Sequence, residues 1–181
     1  MGAVHTTTWG SVLALAIGLG VTGCGGLERG TRGSVESPPA ATVLSGNAEV
    51  VHVVDGDTVD LRIGTRRVRV RLIGVNTPET VDPRRSVECF GPNAKARTEA
   101  LLPPGTQVRV ERDVEPRDDY GRLLGYVYRT DDGTFVNLAL VIGGYAVPLR
   151  IEPNTAHAAE FGTAARAAES AGRGLWSACP R

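Results

Sequence analysis

From Arg66 to Val75 the chain alternates. Val68, Val70 and Leu72 fall on one parity and Arg67, Arg69 and Arg71 on the other. Only an extended strand turns residues i, i+2 and i+4 to one side, so this run predicts a strand with one face buried and one face basic. Two shorter β-favouring runs precede it, Val51 to Val54 and Thr58 to Ile63, joined through Asp55-Gly56-Asp57. Asp-Gly between such runs predicts a hairpin in which the glycine takes a positive φ, and Gly64-Thr65 predicts a second hairpin. Three antiparallel strands in close succession already exclude a βαβ start.

The rest of the chain alternates helix and strand signals. Gly91-Pro92 opens a helical stretch that Pro103-Pro104 stops after Leu102, with Pro92 placed in the first turn. Thr106 to Glu111 and Leu123 to Arg129 read as strands, the latter closed by the turn Asp131-Asp132-Gly133. Phe135 to Ile142 suits a short buried helix ended by Gly143-Gly144, and alanine-rich Ala156 to Ala171 a third helix. Five strands in meander order with three helices predict an α+β domain built on a small Greek-key barrel.

Charge excludes several classes of function. Basic and acidic residues number 20 each in 181 residues, so any hold on a polyanion is local rather than global. Lys95 is the one lysine, and no glycine-rich loop ends in Gly-Lys, which removes the P-loop reading. The histidines His5, His52 and His157 are isolated, no His/Cys group has zinc spacing, and no Gly-x-Ser-x-Gly elbow occurs. What remains is Asp55, Asp57 and Glu79 with Arg71 and Arg122, at strand ends or in the loops just after them. Hard carboxylate oxygens suit Ca²⁺ or Mg²⁺ and planar guanidinium groups suit phosphate oxygens, which together describe phosphoryl transfer.

Three motifs now stand in order: Val54-Asp55-Gly56-Asp57-Thr58-Val59, Arg71-Leu72-Ile73-Gly74-Val75-Asn76-Thr77-Pro78-Glu79-Thr80 and Asp118-Asp119-Tyr120-Gly121-Arg122. Their sequence and spacing resemble the staphylococcal nuclease family. The likeness runs from about residue 48 to 177, through Val136-Asn137 and on to Leu175-Trp176-Ser177. The resemblance implies an OB-fold barrel and a Ca²⁺-dependent phosphodiesterase that cuts DNA and RNA to 3′-phosphate ends. It implies Asp57 as the carboxylate on Ca²⁺, Thr77 as a backbone carbonyl ligand, Glu79 as the general base and Arg71 and Arg122 as the charges facing the transition state. Tyr120 would bond a neighbouring phosphate through its hydroxyl. Asn76 departs from the family pattern by putting a neutral amide where an aspartate ligand is expected, and fewer ligand charges weaken Ca²⁺ binding. The segment Val147 to Glu152 lacks the family's pair of base-pocket tyrosines. Arg67, Arg69, Arg84 and Arg85 are candidates to compensate by holding phosphates.

The first 46 residues carry a different signal. Gly2 to Leu27 has no acidic or basic side chain except His5, and its apolar stretch Val12 to Val21 is shorter than the roughly 20 residues of a membrane span. Val21-Thr22-Gly23-Cys24 resembles the lipobox of bacterial lipoproteins, which implies a signal peptide over 1–23, lipidation of Cys24 and an exported, membrane-anchored domain facing the extracytoplasmic side. Between Gly25 and Gly46 lie five Gly, two Pro and three Ser, a composition that cannot repay its ordering entropy and reads as a linker. The catalytic domain then occupies 47–181, with nothing that demands more than a monomer. Cys89 and Cys179 make an even pair once Cys24 is lipidated, open to two readings, a disulfide permitted by export or two buried thiols.

Three functional readings remain at this level. The first is the exported nuclease, the second a nuclease-fold module that binds nucleic acid without turnover because of Asn76, and the third a phosphodiesterase for small nucleotides, consistent with the neutral net charge.

Overall fold

The computed structural model of the protein describes residues 46–84 and 86–180. The expected signal peptide over 1–23, lipidated Cys24, the linker up to Ser45, and Arg85 lie outside the described residues. Strands β1 (Ala48–Asp55), β2 (Thr58–Ile63) and β3 (Arg66–Leu72) form consecutive antiparallel hairpins. After β4 (Val75–Asn76) and helix α1 (Gly91–Leu101) come β5 (Gln107–Glu111) and β6 (Leu123–Arg129), then α2 (Val136–Ile142), β7 (Val147–Pro148), α3 (Ala158–Ser170) and α4 (Leu175–Ala178).

Five strands close into a barrel of order β1-β2-β3-β6-β5. The expected meander holds for β1 to β3 and for the antiparallel β5–β6 pair, but not between the two groups. The chain then crosses to set β6 parallel to β3, with Val70 opposite Leu123 and Leu72 opposite Gly125, and β5 closes onto β1 through Ala48 and Val108. This is the OB-fold. The three expected helices are found within a residue or two of their signals, and α4, one turn long, is a fourth.

Alternation explains the core. Val50, Val59, Leu61, Val70, Leu72, Val108 and Val127 point into the barrel and are essentially unexposed, capped by Leu102, Leu140 and Phe161 from the helical side. On α1 the buried residues Gly91, Ala94, Thr98 and Leu101 recur at helical spacing, so one face lies on the barrel. His157 is structural: it sits edge-on to Tyr126 and Phe135, with ring centroids 4.6 and 4.9 Å away. Cys89 and Cys179 are bonded, which fixes the chain end after α4 to the segment before α1.

The expected long strand from Arg66 to Val75 is divided in two by one of its own side chains. Arg71 Nη1 donates to the carbonyls of Leu72 and Val75, both at 2.7 Å, so the backbone after β3 curls round the guanidinium and leaves the barrel at Gly74. β4 then pairs with β7, Asn76 opposite Val147, as a separate two-stranded ribbon.

Asn137 joins the barrel to α2 from within. Its Oδ1 accepts the Val127 N–H at 3.0 Å and its Nδ2 donates to the carbonyls of Ile73 and Gly125 at 2.9 and 3.3 Å, all in the buried interior. Asn137→Ala removes the side-chain partner of the Val127 N–H and the Ile73 carbonyl, while the Gly125 carbonyl keeps the Ile73 N–H, and the unmade buried hydrogen bonds cost about 2 to 3 kcal/mol in total. Urea unfolding should show that loss, and a change under about 0.5 kcal/mol would contradict it.

Candidate phosphate and metal site

At the end of the barrel where β1 turns into β2, four of the residues singled out by sequence are in contact. Asp57 lies in the hairpin turn, Arg71 at the end of β3, Asn76 in β4 and Thr77 just beyond it. Arg71 Nη2 stands 3.0 Å from Asp57 Oδ2 and 3.1 Å from Asn76 Oδ1, and the Thr77 N–H donates to the same Asp57 oxygen at 2.9 Å. The side chains of Arg71 and Asp57 are 12% and 9% exposed, so the ion pair is shielded from water. Alternation alone put Arg71 on a solvated basic face with Arg67 and Arg69. The loop it organises covers it instead.

Burial pulls the Arg71 guanidinium below its ordinary value, Asp57 works against that shift, and Arg122 adds to it. Arg122 is therefore an electrostatic neighbour of Arg71, and the two line one cleft of about 480 Å³ together with Tyr120, Asp118, Leu149 and Ile151. Asp118 orients Arg122 twice, accepting its Nε at 2.6 Å and its backbone N–H at 2.9 Å. Tyr120 is 86% exposed and its ring lies 5.4 Å from the Arg122 guanidinium carbon. Aliphatic Leu149 and Ile151 occupy the part of the cleft supplied by the segment that lacks tyrosines.

Glu79 sits in a loop held by its own backbone. Its Oε1 accepts the N–H groups of Thr80, Val81 and Asp82, and any proton the carboxylate takes up goes to Oε2. Burial raises its pKa, but the Val81 N–H, a bond from Asp55 and the remaining N–H donors outweigh that, and the net shift is down. For Asp55 burial dominates and its pKa is raised, with the Thr80 hydroxyl opposing at 2.6 Å. The two carboxyls thus divide into an ionised Glu79 and a more proton-retaining Asp55. At the loop's neck the Glu79 carbonyl accepts the Glu88 N–H and the Glu88 carboxylate accepts the Glu79 N–H, at 2.9 and 3.0 Å.

Two glycines leave room for this assembly. The Asp-Gly-Asp turn does not use a positive φ at Gly56, contrary to the expectation from its sequence. Glycine is required there because a Cβ would stand 2.6 Å from Thr77 Oγ1 and 2.8 Å from Thr77 Cβ. At Gly91 a Cβ would meet the Thr80 methyl at 2.7 Å and the Pro78 carbonyl at 3.1 Å, so α1 rests directly on the Glu79 loop. Thr98 of α1, which sequence reasoning passed over, donates its hydroxyl to the Gly56 carbonyl at 2.6 Å.

The remaining candidates are more peripheral. Arg84 is exposed and bonds Asp82 through Nε and Nη2, both at 3.0 Å. That bond raises its pKa, and Tyr120 is near enough to add to the effect. Arg67 and Arg69 both bond the buried Asp60, a residue given no role by sequence because an acid in a strand carries no motif.

The donors present fit a hard cation. Asp57 Oδ2 and Asn76 Oδ1 converge on the Arg71 guanidinium, Thr77 Oγ1 is buried without a partner, and every donor is oxygen. Among the described residues no three His, Cys, Asp or Glu side chains form a metal cluster, so the set depends on an amide and on backbone oxygen as well as Asp57.

The rim of this OB-fold barrel thus carries a shielded Arg71–Asp57 pair beside a cleft that Arg71 shares with Arg122. The family model for staphylococcal nuclease homologues matches residues 69–178, and the chain belongs to that family. It is 36% identical over 155 residues to endonuclease YhcR of Bacillus subtilis, covering 79% of this chain and 12% of the relative. The thermonuclease of Staphylococcus intermedius is 43% identical over 101 residues, 55% of this chain and 60% of its own length. That of Staphylococcus hyicus is 33% identical over 129 residues, 71% and 75% of the two chains. The chain thus spans about an eighth of the first of these relatives and three fifths of the second.

The packing at Gly56 and the charge at Asp60 each have a measurable consequence. Gly56→Ala forces apart Thr77 and the turn bearing Asp57, and such overpacking costs about 1 to 3 kcal/mol in urea unfolding; a neutral result would contradict the close approach. Arg69 and Arg67 hold the Asp60 carboxyl below its usual range against the opposing effect of burial. A depressed folded-state pKa stabilises fully above the unfolded value and is lost as pH falls through the folded one. The stability gap between wild type and Asp60→Asn should therefore be widest near neutral pH and start to close below about pH 4. A gap that widens on acidification would show the sign to be wrong.

Proposed function

We propose that the protein is an exported, lipid-anchored, Ca²⁺-dependent nuclease acting as a monomer on the phosphodiester bonds of DNA and RNA. The observation that carries the reading is the convergence of Asp57 Oδ2 and Asn76 Oδ1 on the Arg71 guanidinium, which lines one cleft together with Arg122. Export and the anchor rest on the Cys24 lipobox alone, and the names of the relatives support nuclease chemistry.

In this reading Asp57, the Asn76 amide oxygen and the Thr77 carbonyl would hold the metal. Bound Ca²⁺ would supply Lewis-acid polarisation of the scissile phosphate. Glu79, kept ionised by its backbone donors, takes a proton from the attacking water at Oε2 while the water oxygen bonds to phosphorus. The bond from phosphorus to the 5′ oxygen breaks, that oxygen takes a proton from solvent water while Glu79 returns its proton to solvent, and the products are a 3′-phosphate and a 5′-hydroxyl. Arg71 and Arg122 face the charge that builds on the phosphoryl oxygens, and their positions are set in advance by Val75, Leu72 and Asp118, so little reorganisation is needed in the transition state. The Tyr120 hydroxyl and Arg84 contact neighbouring phosphates, and Arg85 is assigned the same role from sequence.

The test is hydrolysis of single-stranded DNA and RNA by the wild type and Glu79→Gln, with Ca²⁺ and with a chelator. Cutting to 3′-phosphates that a chelator abolishes, and that falls by about 10² or more in Glu79→Gln, is the expected result. A folded protein that binds nucleic acid but never cuts it at any Ca²⁺ concentration would replace this reading with the binding module.

A further inference from the structure

Outside the barrel, a second groove of about 590 Å³ adjoins the cleft, and five arginines line it. Arg66, Arg67 and Arg69 come from β3, and Arg117 and Arg122 from the connection between β5 and β6. Arg117, Tyr120 and Arg122 also line the cleft that contains Arg71, so the two depressions are continuous. In a chain of zero net charge this is a concentrated local excess of cations.

The one acid in that lining works as a brace. Asp60 Oδ2 accepts Arg67 Nε and Nη2 at 3.1 and 2.7 Å, and its two oxygens accept Arg69 Nε and Nη2 at 2.9 and 3.2 Å. Its own side chain is 4% exposed, while those of Arg67 and Arg69 remain 58% and 51% exposed. A single buried carboxylate therefore fixes two guanidinium groups with their outer edges turned to solvent. Arginines held this way lose little rotamer freedom when a ligand binds. Among the described residues Arg66 and Arg117 form no ion pair, and Arg117 is aimed by its bond to the Gly121 carbonyl. Arg122 is oriented by Asp118, at the junction with the cleft.

The spacing suits a chain of phosphates. Arg67, Arg69 and Arg71 stand at alternate positions of one strand, about 6.7 Å per step, so they form a ladder of positive charge leading to the buried arginine. At the junction, Tyr120 offers an exposed ring on which a base can stack.

We propose that this groove holds the phosphodiester backbone of single-stranded nucleic acid and leads it into the Arg71 cleft, an inference that rests on the phosphodiesterase reading of that cleft. Continuity with the cleft and the exposed aromatic favour a nucleic-acid strand over an anionic membrane surface, which would need neither.

The test is fluorescence anisotropy with oligothymidylates of about 4 to 16 nucleotides, on the full chain in chelator so that no cutting intervenes. Affinity should rise with length, and the slope of log K against log salt should steepen. Arg67→Gln/Arg69→Gln and, separately, Arg66→Gln/Arg117→Gln should each flatten the slope for the longest strand by about 1.4, at about 0.7 for each phosphate no longer neutralised, and weaken its binding by on the order of tenfold. The second pair leaves Asp60 with its partners and decides the matter if the first pair unfolds. Unchanged slopes and affinities in variants with wild-type melting would overturn the proposal. So would loss of binding to phosphatidylserine vesicles with no change for the oligonucleotides. A wild type that binds through the groove but cuts nothing in Ca²⁺ would defeat the nuclease reading and leave the groove standing. One that cuts normally while groove variants bind unchanged would do the reverse.

Discussion

The buried guanidinium of Arg71 is the interaction on which the site depends. Its Nη1 closes the turn after β3 by capping the carbonyls of Leu72 and Val75, and its Nη2 draws together Asp57 from the β1–β2 turn and Asn76 from β4. A shielded charge is costly unless it is paired and hydrogen-bonded, and here all the partners come from elements that the arginine itself positions. Fold and site are thus one construction: the side chain that would face the substrate also decides where the third barrel strand ends.

Around that centre the supporting contacts form a second layer with a mechanical purpose. Thr98 holds the Gly56 carbonyl, Gly91 lets α1 rest on the Glu79 loop, and Glu88 closes the loop's neck beside the Cys89–Cys179 bond. None of these residues carries chemistry. Together they anchor the turn of Asp57 and the loop of Glu79 to the same helix, which keeps two short irregular segments in register with a rigid barrel.

Much of this was legible in the sequence, because strand periodicity and the three motifs are local signals. Alternation located β3 and β5, β-favouring runs bounded by turns located β1, β2 and β6, and Pro92 and Gly143 marked helix ends. The parallel β3–β6 pairing was not legible, since register between distant strands leaves no local trace. The burial of Arg71 was hidden for a related reason: on periodicity it matches Arg67 and Arg69, and only the returning loop distinguishes it. Asp60 was invisible because an isolated acid has no motif, and its meaning emerges only when β2 and β3 pair and place it between two arginines. The need for glycine at position 56 was legible, but its cause was not. The constraint is a side chain 21 residues away rather than the glycine's own φ.

The central claim is that Asp57, Asn76 and Thr77 form a cation site against Arg71. The most direct measurement is a Ca²⁺ titration of the isotope-labelled protein followed by backbone amide NMR. The Thr77 N–H bonds Asp57 Oδ2 and reports any change at that oxygen. The account predicts saturable, chelator-reversible shifts centred on Asp57, Asn76 and Thr77 that disappear in Asp57→Asn. Amides that stay still at millimolar Ca²⁺, or that move elsewhere while these do not, would contradict it.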